Sequence, residues 1–187
     1  MDKQTKRAVD SGEMLPLMEG FYTIQGEGYY SGTAAYFLRI GGCDVGCHWC
    51  DVKESWYSDL HPPTSISDIL KGIAEYPVDT VVITGGEPLM WNLNKLTEAL
   101  KNKGLKVHLE TSGAYPYSGA FDWVCVSPKK MQEPLDAIKP ITSELKVIVN
   151  NKHDFIWAEE QREGLKSDCK LYLQSEWSKR EEVIPMI

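Results

Sequence analysis

The apolar positions of this 187-residue chain alternate between two spacings. Short runs rich in β-branched side chains read as buried strands: Leu17 to Ile24, Ala34 to Ile40, Thr80 to Thr84, Lys106 to Glu110, Asp122 to Val126, Leu145 to Val149 and Lys170 to Leu173. Elsewhere apolar residues return every three or four positions, the helical interval. Ile66, Ile69, Leu70 and Ile73 follow a Ser65-x-x-Asp68 capping pattern. Leu93, Leu96 and Leu100 mark a second helix that Gly104 would end, and Phe155, Ile156 and Trp157 lie in a third amphipathic stretch. Strands alternating with helices pair in parallel through right-handed crossovers. About six repeats are too few for a closed eight-fold barrel, so the pattern predicts an α/β fold, an open partial (β/α)6-type barrel of mainly parallel strands. Residues 1–16 read as a flexible N-terminal arm, 17–187 as a single domain, and 58–64, with two prolines, as a local loop.

The polar positions have an order of their own. A cysteine-rich loop after Ile40, then Gly85–Pro88, Glu110–Gly113, Ser127–Lys129 and Gln174, all fall at the carboxyl end of a strand. In parallel α/β folds that edge binds ligands. Composition removes several classes of function. A net charge of −7 and a pI near 5.1 exclude a binder of nucleic-acid backbone. Mean hydropathy of −0.33, with no run of membrane-spanning length, points to a soluble globular protein. Met1 to Glu13 lacks the apolar core of a signal peptide, which predicts a cytoplasmic address. Five cysteines, an odd number, suit a reducing compartment, and Cys125 and Cys169 read as buried inert thiols.

The candidate chemistry is concentrated in Ile40-Gly41-Gly42-Cys43-Asp44-Val45-Gly46-Cys47-His48-Trp49-Cys50-Asp51. Cys43, Cys47 and Cys50 stand at spacings of four and three residues, and thiolates this close bind soft metals or iron–sulfur clusters. A structural tetrahedral site takes four ligands, so three leave a metal position open to something that is not protein. The alternative is zinc held by the three cysteines and His48, which lies inside the short Cys47–Cys50 loop and would reach the same ion only with strain.

Cys-x3-Cys-x2-Cys, with the aromatic Trp49 before the last cysteine, resembles the signature of the radical S-adenosylmethionine (SAM) enzymes. In that family three thiolates hold a [4Fe-4S] cluster and SAM chelates the fourth iron. Gly85-Gly86-Glu87-Pro88 is similar to the family's GGEP motif, which engages the amino group of SAM. Phe21–Gly28, Phe37–Ile40, Cys50-Asp51, Glu110–Gly113, Ser127–Lys129, Glu144–Lys146 and Tyr172–Gln174 look like the 7-carboxy-7-deazaguanine synthase family, a likeness that runs from Phe21 to Gln174. The resemblance implies a lyase that converts 6-carboxy-5,6,7,8-tetrahydropterin to 7-carboxy-7-deazaguanine, by hydrogen abstraction at C6, ring contraction and loss of ammonia, on the route to queuosine and other 7-deazapurines. It implies a homodimer, and an electron donor such as flavodoxin. Carried onto this chain, Ile24, Gln25, Gly26, Glu27, Arg39 and Thr84 would bind substrate, with Arg39 pairing to its carboxylate. Trp49, Cys50, Asp51, Gly86, Glu87, Ser112, Ser127, Pro128, Lys129 and Gln174 would bind SAM and the cluster, with Cys43, Cys47 and Cys50 as the metal ligands.

Two departures stand out. Relatives carry Thr two residues after the last cluster cysteine, as a Mg2+ ligand, whereas this chain has Val52, without a side-chain oxygen. The ion would then be absent, held by backbone or Asp51, or replaced by Lys53. Relatives also continue to a C-terminal proline near the substrate, while this sequence ends at Ile187, so one wall of the substrate site is expected to lie outside it. The rival readings are a glycyl-radical-enzyme activating enzyme, which shares the cysteine spacing but needs an open face for a protein substrate, and a non-enzymatic metal-binding module.

Overall fold

The computed structural model describes residues 2–187. Its centre is one eight-stranded sheet: β1 Met14–Ile24, β2 Ala34–Ile40, β3 Pro63–Ser65, β4 Thr80–Gly85, β5 Lys106–Thr111, β6 Trp123–Val126, β7 Glu144–Val149 and β8 Lys170–Ser175. The spatial order is β3-β1-β2-β4-β5-β6-β7-β8, without closure. β1 runs antiparallel to β2 and β3, and every later pair is parallel. This is the mainly parallel, open sheet that the strand pattern predicts.

The helices are α1 Lys3–Asp10, α2 Ile66–Ala74, α3 Asn94–Asn102, α4 His153–Gln161 and the short α5 Arg180–Val183. Ser65 caps α2 by accepting from the Asp68 backbone N–H, and Gly104, at φ +76°, follows the C-cap of α3. Two features depart from the sequence reading. Residues 2–16 of the expected arm are built into the fold: Asp2 caps α1, Val9 is buried, and β1 already begins at Met14, with Leu15 fully buried and paired across to Thr64. Polar composition hid this, because one or two buried side chains suffice to seat so short a segment. The crossovers are also less helical than expected. β5 leads to β6 through the loop 112–122, and β6 to β7 through the 3-10 turn Asp136–Ile141. Pro116, Pro128, Pro134 and Pro140 fall in these connections, and proline removes the backbone donor that a longer helix needs.

The two faces of the sheet separate by the period of two. Tyr36, Leu38 and Ile40 of β2, Val81 and Ile83 of β4, and Val107 and Leu109 of β5 point outward and pack on Ile69 and Ile73 of α2 and Leu96 and Leu100 of α3. Leu96 and Leu100 are 0% exposed, and truncating a leucine so placed to Ala costs about 2–5 kcal/mol. The inner face is apolar only at one end, where Phe21, Ala35, Phe37 and Val82 cluster. Farther round, it carries His108 and Glu110 from β5, Cys125 from β6, and Glu144 and Lys146 from β7. A concave face lined with paired charges is where this fold keeps its site.

Candidate functional site

The loop after β2 and the loop after β4 are joined through their main chains. Gly86 N–H donates to Ile40 O at 2.8 Å, Glu87 N–H to Gly42 O at 2.8 Å, and Gly42 N–H to Ser55 O at 2.6 Å. Only glycine tolerates so close an approach. A Cβ on Gly86 would lie 2.3 Å from Gly42 O, and one on Gly85, whose φ is +125°, would lie 2.4 Å from Ile40 O. The cysteine loop is anchored further by buried Val45 and by Tyr115 Oη, which donates to Asp44 Oδ1 at 2.5 Å.

Cys43, Cys47 and Cys50 are free thiols, each half-buried. Burial pushes the Cys43 thiol up to about 11 and also raises Cys47, so a metal taken up here must displace protons. Among the described residues no three His, Cys, Asp or Glu side chains converge as the ligands of one ion would. His48 is exposed, its ring set edge-on against Trp49 at 4.4 Å. The exposed His48 counts against the zinc alternative, which needs its ring as the fourth ligand. A cubane asks less, since each thiolate holds a different iron, and three thiols gathered on one short loop fit it.

Glu87 is 1% exposed, and both its oxygens are occupied. Oε1 accepts from Leu89 N–H at 3.0 Å and Thr111 Oγ1 at 2.5 Å, while Oε2 accepts from Ser112 N–H at 2.7 Å and from Ser112 Oγ. The Glu87 carboxylate therefore locks the end of β4 to the end of β5. The acceptors left for an ammonium are the main-chain carbonyls of the glycine turn. Ser127 N–H donates to Thr111 O at 2.8 Å, extending the same rim to the end of β6. Pro128 is buried, and Lys129 Nζ donates to Ser127 O at 2.7 Å and Oγ at 2.6 Å. Burial lowers the Lys129 pKa, partly offset by the Cys47 thiol and by Glu87.

Below this rim, residues far apart in sequence meet on the inner face. Glu110 accepts from Gln25 Nε2 at 2.9 Å and from Thr84 Oγ1 at 3.0 Å. Glu27 accepts from Lys146 Nζ at 2.5 Å and from Gln174 Nε2 at 2.8 Å. Burial alone would lower the Lys146 pKa, but Glu110, Cys125 and Glu27 outweigh it and hold it well above the ordinary lysine value. Burial likewise opposes ionisation of Glu27, and Lys146 and Gln174 reverse that, leaving its pKa lowered. Arg39 stands beside Thr84 in the strand register. It is paired with Glu19 at 3.2 Å and lies 5.5 Å from the Phe21 ring centroid. Of the other expected residues, Ile24 is 63% exposed, and Gly26 and Asp51 are exposed.

The structure thus brings Gln25, Glu27, Thr84 and Gln174 into one network through two residues that carried no assigned role, Glu110 and Lys146. Both had a signal in the sequence, polar side chains at alternate positions of a strand: Lys106, His108 and Glu110 in β5, Glu144 and Lys146 in β7. A third such residue, Glu144, lies deeper on β7. His108 is 5% exposed and lines the same space, and burial lowers its pKa to about 4, so its imidazole is neutral.

Comparison with known proteins agrees with this geometry. Residues 38–150 match the family model described as the radical SAM superfamily. The chain is 60% identical over 187 residues, all of this chain and 89% of the relative, to the 7-carboxy-7-deazaguanine synthase of Flavobacterium psychrophilum. It is 48% identical over 162 residues, 87% of this chain and 78% of the relative, to the synthase of that name from Synechocystis. The crystal structure of QueE from Escherichia coli superposes with a TM-score of 0.78 at 31% identity, covering 94% of this chain and 87% of that one. Cysteine loop, glycine turn and open parallel sheet belong together for a reason: the chain is a member of the radical SAM superfamily and, within it, of the 7-carboxy-7-deazaguanine synthase family.

Proposed function

We propose that this protein converts 6-carboxy-5,6,7,8-tetrahydropterin to 7-carboxy-7-deazaguanine with loss of ammonia, in queuosine or related 7-deazapurine biosynthesis. The observation that carries this reading is the convergence of Gln25, Glu27, Arg39 and Thr84 on the inner sheet face, with the glycine turn at the end of their strand layer. Cys43, Cys47 and Cys50 would hold the [4Fe-4S] cluster, with Trp49 and Asp51 beside it. The main chain of Gly86, with Ser112, Ser127, Pro128, Lys129 and Gln174, would hold SAM. Cluster and SAM together supply the one-electron and hydrogen-abstraction chemistry that no side chain can perform.

The chain's own residues bind and orient. Arg39 presents a planar fork to the substrate carboxylate, which shares or displaces Glu19. Glu110, held through both oxygens by Gln25 and Thr84, offers its remaining lone pairs to the N–H donors of the pyrimidine edge. Glu27 is kept ionised and aimed by Lys146. A magnesium ion fits poorly at position 52, where Val52 supplies only methyl groups, and no step here depends on one. We further place the protein in the cytoplasm, served by a donor such as flavodoxin and paired as a homodimer. Five free cysteines and exposed Leu171, Leu173, Trp177 and Ile184 support that reading.

An activating enzyme acting on a protein radical site is not favoured: the relatives of this chain carry the synthase name, and the loop between β1 and β2 reaches across to Glu144 of β7 and Gln174 of β8. The test is anaerobic reconstitution with SAM and the carboxy-tetrahydropterin, with product read by mass. Formation of 7-carboxy-7-deazaguanine is expected. SAM cleavage without any conversion of this pterin would overturn the substrate assignment.

A further inference from the structure

The Glu144-Leu145-Lys146 stretch has an unused member. Lys146 reaches Glu27, but Glu144 lies 4% exposed at the start of β7, where the strands begin. The segment between β1 and β2, strands on the other side of the sheet, comes to it across the open gap between β3 and β8 that we call the seam. Glu144 Oε2 accepts from Tyr29 N–H at 3.1 Å and from Trp123 Nε1 at 3.1 Å, and Cys125 Sγ lies 3.7 Å from Oε1. Gly28, at φ +69°, passes so close that a Cβ there would sit 2.0 Å from Oε1. The Tyr29 ring stacks on Trp123 at 5.0 Å and 21°, with Lys170 Nζ 5.6 Å from the Tyr29 centroid. Tyr30 packs on His108 at 4.5 Å.

A buried carboxylate is costly unless its acceptors are used. Here they are shared between the neighbouring strand, through Trp123 and Cys125, and the loop, through Tyr29 N–H. The same loop begins with Gln25, Gly26 and Glu27, the residues that face the substrate space. Gln25 N–H to Thr33 O and Gly32 N–H to Gln25 O close the loop on itself, but it makes no ladder hydrogen bonds to β8, so its placement over the sheet depends on the few side chains that reach it. Lys146 and Gln174 hold its near end, and Glu144 is the group that holds its main chain from below.

We infer that Glu144 is a positioning residue which, through the main chain of Gly28 and Tyr29, fixes the Gln25–Glu27 turn across the seam and so sets affinity for the substrate. The role is geometric rather than a matter of charge, because the oxygen that accepts twice is a single one. Gln can place its carbonyl there and its amide toward Cys125. The inference rests on the pterin reading for its kinetic arm only.

Its structural arm is hydrogen exchange of the amides 28–33 in Glu144→Ala, Glu144→Gln and Gly28→Ala, each as the reconstituted full chain. Exchange should rise about tenfold or more in Glu144→Ala and Gly28→Ala as local opening is eased, and stay near wild type in Glu144→Gln. In the kinetic arm, KM for the pterin should rise about tenfold in the first two variants while kcat moves by less than about threefold, with Gln restoring wild-type KM. Unchanged exchange in both Glu144→Ala and Gly28→Ala overturns the inference, as does raised exchange with unchanged KM. If Glu144→Ala fails to fold, Gly28→Ala carries both arms alone. A wild-type enzyme that does not convert the pterin would sink the functional reading, and the exchange result would still decide whether Glu144 positions the loop.

Discussion

The mouth of the sheet and its seam are built by different means. At the mouth, the loops after β2, β4 and β5 are joined by main-chain hydrogen bonds between glycine-rich turns and by one buried carboxylate, Glu87. At the seam, residues 25–30 close on residues 31–33 through their own main chain, but they are tied to the rest of the sheet by side chains of partners 85 to 147 positions away in the chain. The first arrangement leaves backbone geometry little freedom, which suits groups that must hold a cofactor in one place. The second can be retuned one side chain at a time without disturbing the cofactor, which suits recognition of a substrate. The two regions should therefore fail separately when altered.

The largest effect is expected at the mouth. Replacing Cys43, Cys47 or Cys50 by Ala should abolish both SAM cleavage and product formation and lower bound iron, while Cys169→Ala leaves iron content and cleavage unchanged. Iron analysis and a deoxyadenosine assay check this, and a Cys47→Ala protein with full cleavage would remove the distinction at once. Next comes Arg39→Ala, on the inner face. Loss of a fork to the substrate carboxylate should lower kcat/KM by about two to three orders of magnitude, with Lys restoring little. Dithionite-driven SAM cleavage should continue in that variant, and its disappearance would show that mouth and inner face are not separable.

Glu87→Ala should act on both stability and SAM binding. It leaves the donors of Thr111, Ser112 and Leu89 without their acceptor, at a cost of about 2–4 kcal/mol, read as a lowered midpoint in denaturant. His108 provides a pH handle on the floor. With its folded pKa lowered to about 4, it stays neutral in the fold while the unfolded chain takes up a proton below its ordinary value of 6.5. Stability present above pH 6.5 is thus lost as pH falls toward 4, and His108→Phe should flatten that limb in urea melts at successive pH values. The smallest effect concerns Val52. Exchange of Mg2+ for EDTA should change wild-type turnover by less than about twofold, and Val52→Thr should introduce a dependence. A large Mg2+-reversible loss in wild type with iron content intact would show that other oxygens suffice.

Three things were legible in the amino-acid order alone. They were the alternation that makes an open parallel sheet, the thiol spacing that makes a cluster loop, and the glycine turn that meets it. Each depends on neighbours in sequence, where spacing translates directly into geometry: period two for strands, a short loop for three ligands. Gly85 and Gly86 could be singled out because a glycine pair after a buried strand has a local meaning. Tertiary structure alone decided the rest. It turned the Glu87 carboxylate from an open acceptor into a brace, gave Arg39 a partner in Glu19, and set residues 2–16 into the fold. Above all it brought Gln25 to Glu110, Glu27 to Lys146 and Tyr29 to Glu144. Those pairings follow from strand register and from which edge of the sheet faces which, quantities summed over the whole chain. No window of the sequence contains them.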